Sequence, residues 1–157
     1  MKWKIFSLLM SLLLFAGCAQ YKEIDIDDIK INRIKMQSAK VIDLGFNVTV
    51  DNPSATRFRL QSVDGILYRN GVEFANLILI QEVELPARFS GDVQALCTLK
   101  LTDPLAALAL GLNMASLNSD SFTIDLVATV KGGIIKKSFK YEDVPLSEVI
   151  KEFGIKL

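Results

Sequence analysis

The sequence contains no histidine. That removes the commonest general base and the commonest metal ligand. Without it, neither the usual serine triad nor a Cys/His zinc site can be assembled. Cysteine is scarce, with only Cys18 and Cys97. Acidic and basic residues balance at 18 each, so net charge gives no grip on nucleic acid or an anionic membrane. There is no phosphate-binding glycine pattern, no Gly-x-Ser-x-Gly elbow, no basic groove with interleaved aromatics, and no internal repeat. Glu82 and Glu84 pair on one strand face, but alternation with Val83 and Leu85 explains them without catalysis. These absences argue against an enzyme, a cofactor, a bound metal and a nucleic-acid partner.

What is present is apolar. Half of the 157 residues are hydrophobic, which excludes the polar, disordered class of chain. The length suits one domain.

The first 18 residues read as a targeting segment. Lys2 and Lys4 form a charged n-region, and residues 5–15 form an apolar run too short for a membrane span of about 20 residues. Ala16, Gly17 and Cys18 follow. Small residues before a cysteine at the end of such a run resemble the bacterial lipoprotein box, with Phe15 where that pattern prefers leucine. The resemblance implies cleavage after Gly17, diacylglycerol on the Cys18 thiol and an acyl chain on the new amino group. One acyl chain holds a protein only marginally, whereas two or three anchor it stably. Ala19 is not the aspartate that retains lipoproteins in the inner membrane of enteric bacteria, so an outer-membrane address is expected if the source is Gram-negative. The other readings are an ordinary secretory signal or a retained anchor helix. The expected layout is 1–17 signal, 18–23 lipidated tether and 24–157 folded domain.

The domain is organised around residues 46–68. Ile42, Leu44, Phe46, Val48 and Val50 alternate with polar or small residues, so this strand has one buried face and one wet face. Pro53 has no N–H and pushes Asn52 out of the α region, which ends the strand. The Asn52 side chain can bond backbone two residues on and hold the turn. Pairing restarts at Arg57, with Phe58 and Leu60 on one face, and the phase blurs at Gln61-Ser62, as a β-bulge would make it do. The alternation into Asn-Pro-Ser, then FRLQSVDGILYRNG, then VELPARFSGDVQALCTLKL, resembles the late-embryogenesis-abundant type 2 domain, also called the water-stress and hypersensitive-response (WHy) domain. The resemblance covers residues 29–141, with Ser54 where the family has a second asparagine. It implies a small β-sandwich with a helix and carries no catalytic residues across.

Elsewhere, Ile24, Ile26, Ile29, Ile31, Ile34 and Met36 switch phase twice, which suggests two short strands or one bent strand at an edge. Asp25, Asp27 and Asp28 read as a wet face, with a sorting signal or a weak cation site as alternatives. Asn70-Gly71 marks a type I′ hairpin and Gly132-Gly133 a second hairpin. Cys97 falls on an apolar phase and reads as a buried thiol; a reactive thiol would need exposure and cationic neighbours. Thr102-Asp103-Pro104 opens an apolar helix over 105–112, expected to be buried as a plug or to serve as a docking surface for lipid or protein. Leu146, Val149, Ile150 and Phe153 form one stripe of a short tail helix, which either folds back on the sheet or binds a partner.

The expected fold is therefore all-β, an immunoglobulin- or fibronectin-III-like sandwich of about seven strands with one or two short helices. The expected function is a non-catalytic envelope lipoprotein that binds or scaffolds an envelope protein partner, with a protective role under desiccation or osmotic stress implied by the resemblance. The alternative is a carrier of an apolar ligand such as a lipid.

Overall fold

The alternating runs do become strands. In a computed structural model, which describes residues 24–103, 105, 108, 119–152 and 155, the chain is all-β. The strands are β1 (Asp25–Ser38), β2 (Val41–Asn52), β3 (Phe58–Arg69), β4 (Val72–Leu79), β5 (Val83–Leu85), β6 (Phe89–Leu101), β7 (Phe122–Gly132) and β8 (Ile135–Pro145), followed by helix α1 (Leu146–Glu152). All pairings are antiparallel. The sheet order is β1-β2-β6-β4-β3-β7-β8, with β5 paired to β3. The alternation of Glu82 and Glu84 with Val83 and Leu85 becomes the three-residue β5, which brings the strand count to eight rather than about seven.

β4 pairs with β6 only over Ala75–Leu79 and its partners Cys97–Leu101. Beyond that point β6 continues along β2, while β5 stays with β3. One sheet thus divides into two leaves, with its apolar face inward. Ile42 of β2 and Phe122 of β7 stand four places apart in the sheet order, yet both belong to one buried cluster with Phe74, Ala75 and Leu101. Phe74 and Phe122 meet edge to face at 5.3 Å between centroids, a favoured aromatic geometry.

The phase switches in the first strand have one cause. β1 is a single bent strand, with register shifts after Ile26, Ile31 and Met36. The first two shifts each insert a residue and return the next isoleucine, Ile29 or Ile34, to the inner face. As a result Ile26, Ile29, Ile31, Ile34 and Met36 all stand opposite inward residues of β2: Val50, Val48, Phe46, Leu44 and Ile42. The blurred phase in β3 has the same origin, a register shift between Leu60 and Ser62.

The turns are mostly as expected. Asn70 and Gly71 have φ of 50° and 79°, the two positive values that a type I′ turn requires. The second hairpin closes one residue later than the glycine pair suggested. Gly132 still pairs with Ile135, and the turn is made by Gly133, at φ 60°, and Ile134. A glycine at the first central position is the signature of a type II′ turn.

Register also fixes two ends. Asp25, Asn52, Phe58, Leu85, Phe89 and the Gly133-Ile134 tip share one end. The 38–41 and 69–72 turns, the start of β7 and helix α1 share the other. α1 folds back, with Leu146 packed against the Phe74–Phe122 cluster.

The apolar helix expected over 105–112 lies mostly outside the described residues. Asp103 caps it as expected, its Oδ1 accepting the Leu105 N–H at 2.9 Å. Leu105 and Leu108 are helical but 71% and 62% exposed, so at these two positions the expected burial is not found. An apolar residue type does not bury itself unless a neighbouring surface faces it.

Candidate functional site

The outer face of the sheet carries a groove. Side chains that alternate away from the core on β3, β4, β6, β7 and β8 line its ≈ 580 Å³. Ile66, Ile78 and Val127 form its apolar floor, and Asp64, Asn76, Lys100, Asp125, Lys140 and Glu142 its polar walls. Gly65 sits beneath it; a Cβ there would lie 3.2 Å from Leu126 and 3.3 Å from Leu77, so glycine lets β4 and β7 pack closely across β3.

The polar groups of the groove hold one another. Lys140 Nζ meets Glu142 Oε1 at 2.6 Å, and this bond raises the lysine pKa. Asp125 Oδ1 accepts the Asp143 N–H at 2.8 Å. Tyr68 stands near Asp125 on the neighbouring strand. Burial raises the phenol pKa, and the nearby Asp125 and Glu73 charges add to the shift. Such a surface offers shape, three aliphatic contacts and oriented charges. Among the described residues it does not set a nucleophile against a base.

The single described thiol is elsewhere. Cys97 is 5% exposed on the inner face of β6, opposite Leu44 and Leu79. Burial pushes its pKa up to about 11, the direction expected for a thiol among apolar neighbours and the opposite of an activated nucleophile. Of the carboxylates singled out in the sequence, Glu82, Glu84 and Asp28 are paired. Glu84 and Glu82 flank Arg59 at 3.0 and 3.5 Å, and Arg57 lies 3.8 Å from Glu84. In the acidic run of β1, Asp28 meets Lys30 at 3.1 Å. No cluster of three potential metal ligands occurs among the described residues. Gly17 and Cys18, the expected cleavage and lipid-attachment positions, lie outside the described residues.

One residue does more than its sequence context suggested. Asn52 is fully buried. Its Oδ1 accepts from Ser54 N–H at 3.2 Å, the expected turn bond, and from Ser54 Oγ at 2.7 Å. Its Nδ2 donates to Thr56 O at 3.0 Å and to Pro86 O at 2.8 Å. Arg88 N–H donates to Ser54 O at 2.9 Å, closing the same junction. Every donor and acceptor of the amide is used, as burial demands. The available signal was phase: position 52 continues the apolar series 42, 44, 46, 48, 50, so an asparagine there had to be buried and satisfied.

No protein-family model and no curated protein matches the chain. Among solved structures, the chain is similar to a protein from Archaeoglobus fulgidus, at 9% identity and a TM-score of 0.47, over 75% of this chain and 98% of that one. It is also similar to the GAE domain of yeast GGA1, at 11% identity and a TM-score of 0.32, over 75% and 84%. A third similarity is to a candidate late embryogenesis abundant protein known from its solution structure, at 15% identity and a TM-score of 0.34, over 92% of this chain and 87% of that one. At these TM-scores the likenesses carry no argument about function.

Proposed function

We propose that the protein is a non-catalytic lipoprotein of the cell envelope that holds a protein partner beside a membrane. Cys18 carries the lipid, and the β-domain starts six residues later, at Ile24. The observation that supports a binding role is the outer groove: an apolar floor at Ile66, Ile78 and Val127, walled by charges already held in place. Polar groups fixed before binding lose little further freedom when a partner arrives. The resemblance of residues 29–141 to the late-embryogenesis-abundant type 2 domain adds a protective role under drying or osmotic stress to this reading.

A photo-crosslinking residue at Ile78, which is 38% exposed, tests the binding role in cells. The expected product is an adduct with a defined envelope protein, lost when Asp125 is replaced by lysine. Absence of any protein adduct contradicts it. Deletion cells that survive drying and osmotic shock like their parent would remove the stress role and leave the binding role standing.

A second reading, an apolar-ligand carrier, is favoured by one observation. Inward-facing residues on the two edge strands are left open: Ile34 and Met36 on β1 at 53% and 56%, Ile135 and Tyr141 on β8 at 44% and 41%. Native mass spectrometry of the mature protein separates the readings. A co-purifying lipid beyond the covalent anchor favours the carrier; a clean mass favours the protein-binding module.

A further inference from the structure

We propose that the β7–β8 hairpin tip is a membrane-contact element that seats the domain on an anionic lipid surface, an inference that rests on the lipid anchor at Cys18. The tip is Gly133-Ile134, and Ile134 is 98% exposed, the most exposed large apolar side chain described. An aliphatic side chain standing clear of the fold at a type II′ turn has no structural task there, since that position accepts polar residues equally well. Lys131, Lys136 and Lys137 flank it.

The register makes the charge pattern sharper. Arg59 stands opposite Lys131, and Lys131 opposite Lys136. Three basic side chains therefore lie side by side on adjacent strands. Like charges directly opposite one another destabilise a sheet. Glu84, opposite Arg59 on the far side, answers only that residue and Arg57. Lys131 and Lys136 have no ion pair among the described residues. An external anionic surface supplies the missing counter-charge. A balanced net charge conceals this row: Glu82 and Glu84 answer only the arginines, and the other acids of this end, Asp25, Asp27 and Asp51, lie on the β1–β2 leaf.

The anchor selects the same end. Ile24, where the described chain begins, adjoins Asp25, which pairs with Asp51 at the end that carries the hairpin tip. Six residues span at most about 20 Å. The strands, twelve residues in β2, are about 40 Å long. So short a tether keeps the Asn52 end beside the bilayer and the α1 end away from it. Ile134 then reaches the headgroup–acyl boundary, and the lysines meet lipid phosphates, the pairing used by amphipathic interfacial elements. The acids of the β1–β2 leaf are repelled by the same surface, which tilts the domain onto β7 and β8.

The test uses the full mature lipoprotein in vesicles of phosphatidylcholine and phosphatidylglycerol. Ile134→Cys and, at the far end, Val72→Cys each carry an environment-sensitive dye; buried Cys97 is left unlabelled. The expected result is blue-shifted emission at 134, quenched by lipid-borne bromine several-fold more than at 72, and reversed by Lys131→Glu with Lys136→Glu. Equal exposure of both positions to aqueous iodide overturns the proposal while leaving the anchor intact. Intact mass of the same sample reports the acyl chains separately. If they are absent, the anchor reading fails, and the unlipidated chain is sedimented with the same vesicles. Binding that the two lysine substitutions abolish still supports the hairpin as the contact, and no binding overturns it.

Discussion

Asn52 Nδ2 donates to the carbonyl oxygen of Pro86 at 2.8 Å, across 34 residues of sequence. This bond ties the end of β2 to the exit of β5, where the sheet has divided into two leaves. Removing a fully buried amide strands the Pro86 carbonyl and the Ser54 N–H, and leaves the Thr56 carbonyl only its 3.3 Å bond from Ser54 Oγ. Asn52→Ala is therefore expected to destabilise the domain by about 3 kcal/mol, read as a lower urea midpoint. Asn52→Asp replaces two donors with a buried charge. Its folded-state pKa rises, so the variant is least destabilised at low pH and loses stability as pH rises above the ordinary carboxyl pKa of about 4.

Cys97 is expected to be inert in the folded protein. With its pKa near 11, its thiolate population at pH 8 is about a hundredfold below that of an ordinary thiol, and burial blocks access further. Alkylation by iodoacetamide should be slower than in urea by at least that factor. Because the folded pKa lies above the unfolded one, this group's contribution to stability is complete below about pH 9 and lost as pH rises toward 11. The Cys97→Val variant should show a shallower alkaline loss.

Gly45 stands opposite Arg33, at a bulge of β1. A Cβ at Gly45 would lie 2.9 Å from the Arg33 Cβ and 2.7 Å from Asn32 Oδ1. Asn32 can swing aside, but the Arg33 Cβ moves only with its strand. Gly45→Ala is expected to cost about 1–3 kcal/mol and to raise amide exchange selectively along β1. Uniform exchange across all strands would show that the bulge does not depend on this contact.

Much of this fold is legible in the sequence because strands advertise themselves by period. The β2 and β7 alternations, the Asn70-Gly71 turn and the β3 bulge at Gln61 were all readable that way. β5 shows only as the short alternation of residues 82–85, which does not say that it pairs with β3. The second hairpin was placed one residue early because Gly132 and Gly133 are equivalent as symbols, and only pairing with Ile135 shows which one turns. Exposure of Leu105 and Leu108 was invisible because composition describes a side chain and not what faces it. The outer groove gathers residues from five strands, and the Arg59–Lys131–Lys136 row depends on register between three. Neither leaves a local signal. Asn52 is the exception: its apolar phase announced a buried amide, though not the Pro86 partner.

Cys18 decides both the anchor and the orientation of the domain. Metabolic labelling with a clickable fatty acid, followed by fractionation and N-terminal mass analysis, tests it directly. The wild-type chain should label, float with membranes and begin at acylated Cys18, with residues 1–17 removed. Cys18→Ser should lose the label and accumulate as uncleaved precursor. If Cys18→Ser instead matures into a soluble exported protein, the segment is an ordinary secretory signal, and neither the lipid anchor nor a tether-fixed orientation survives.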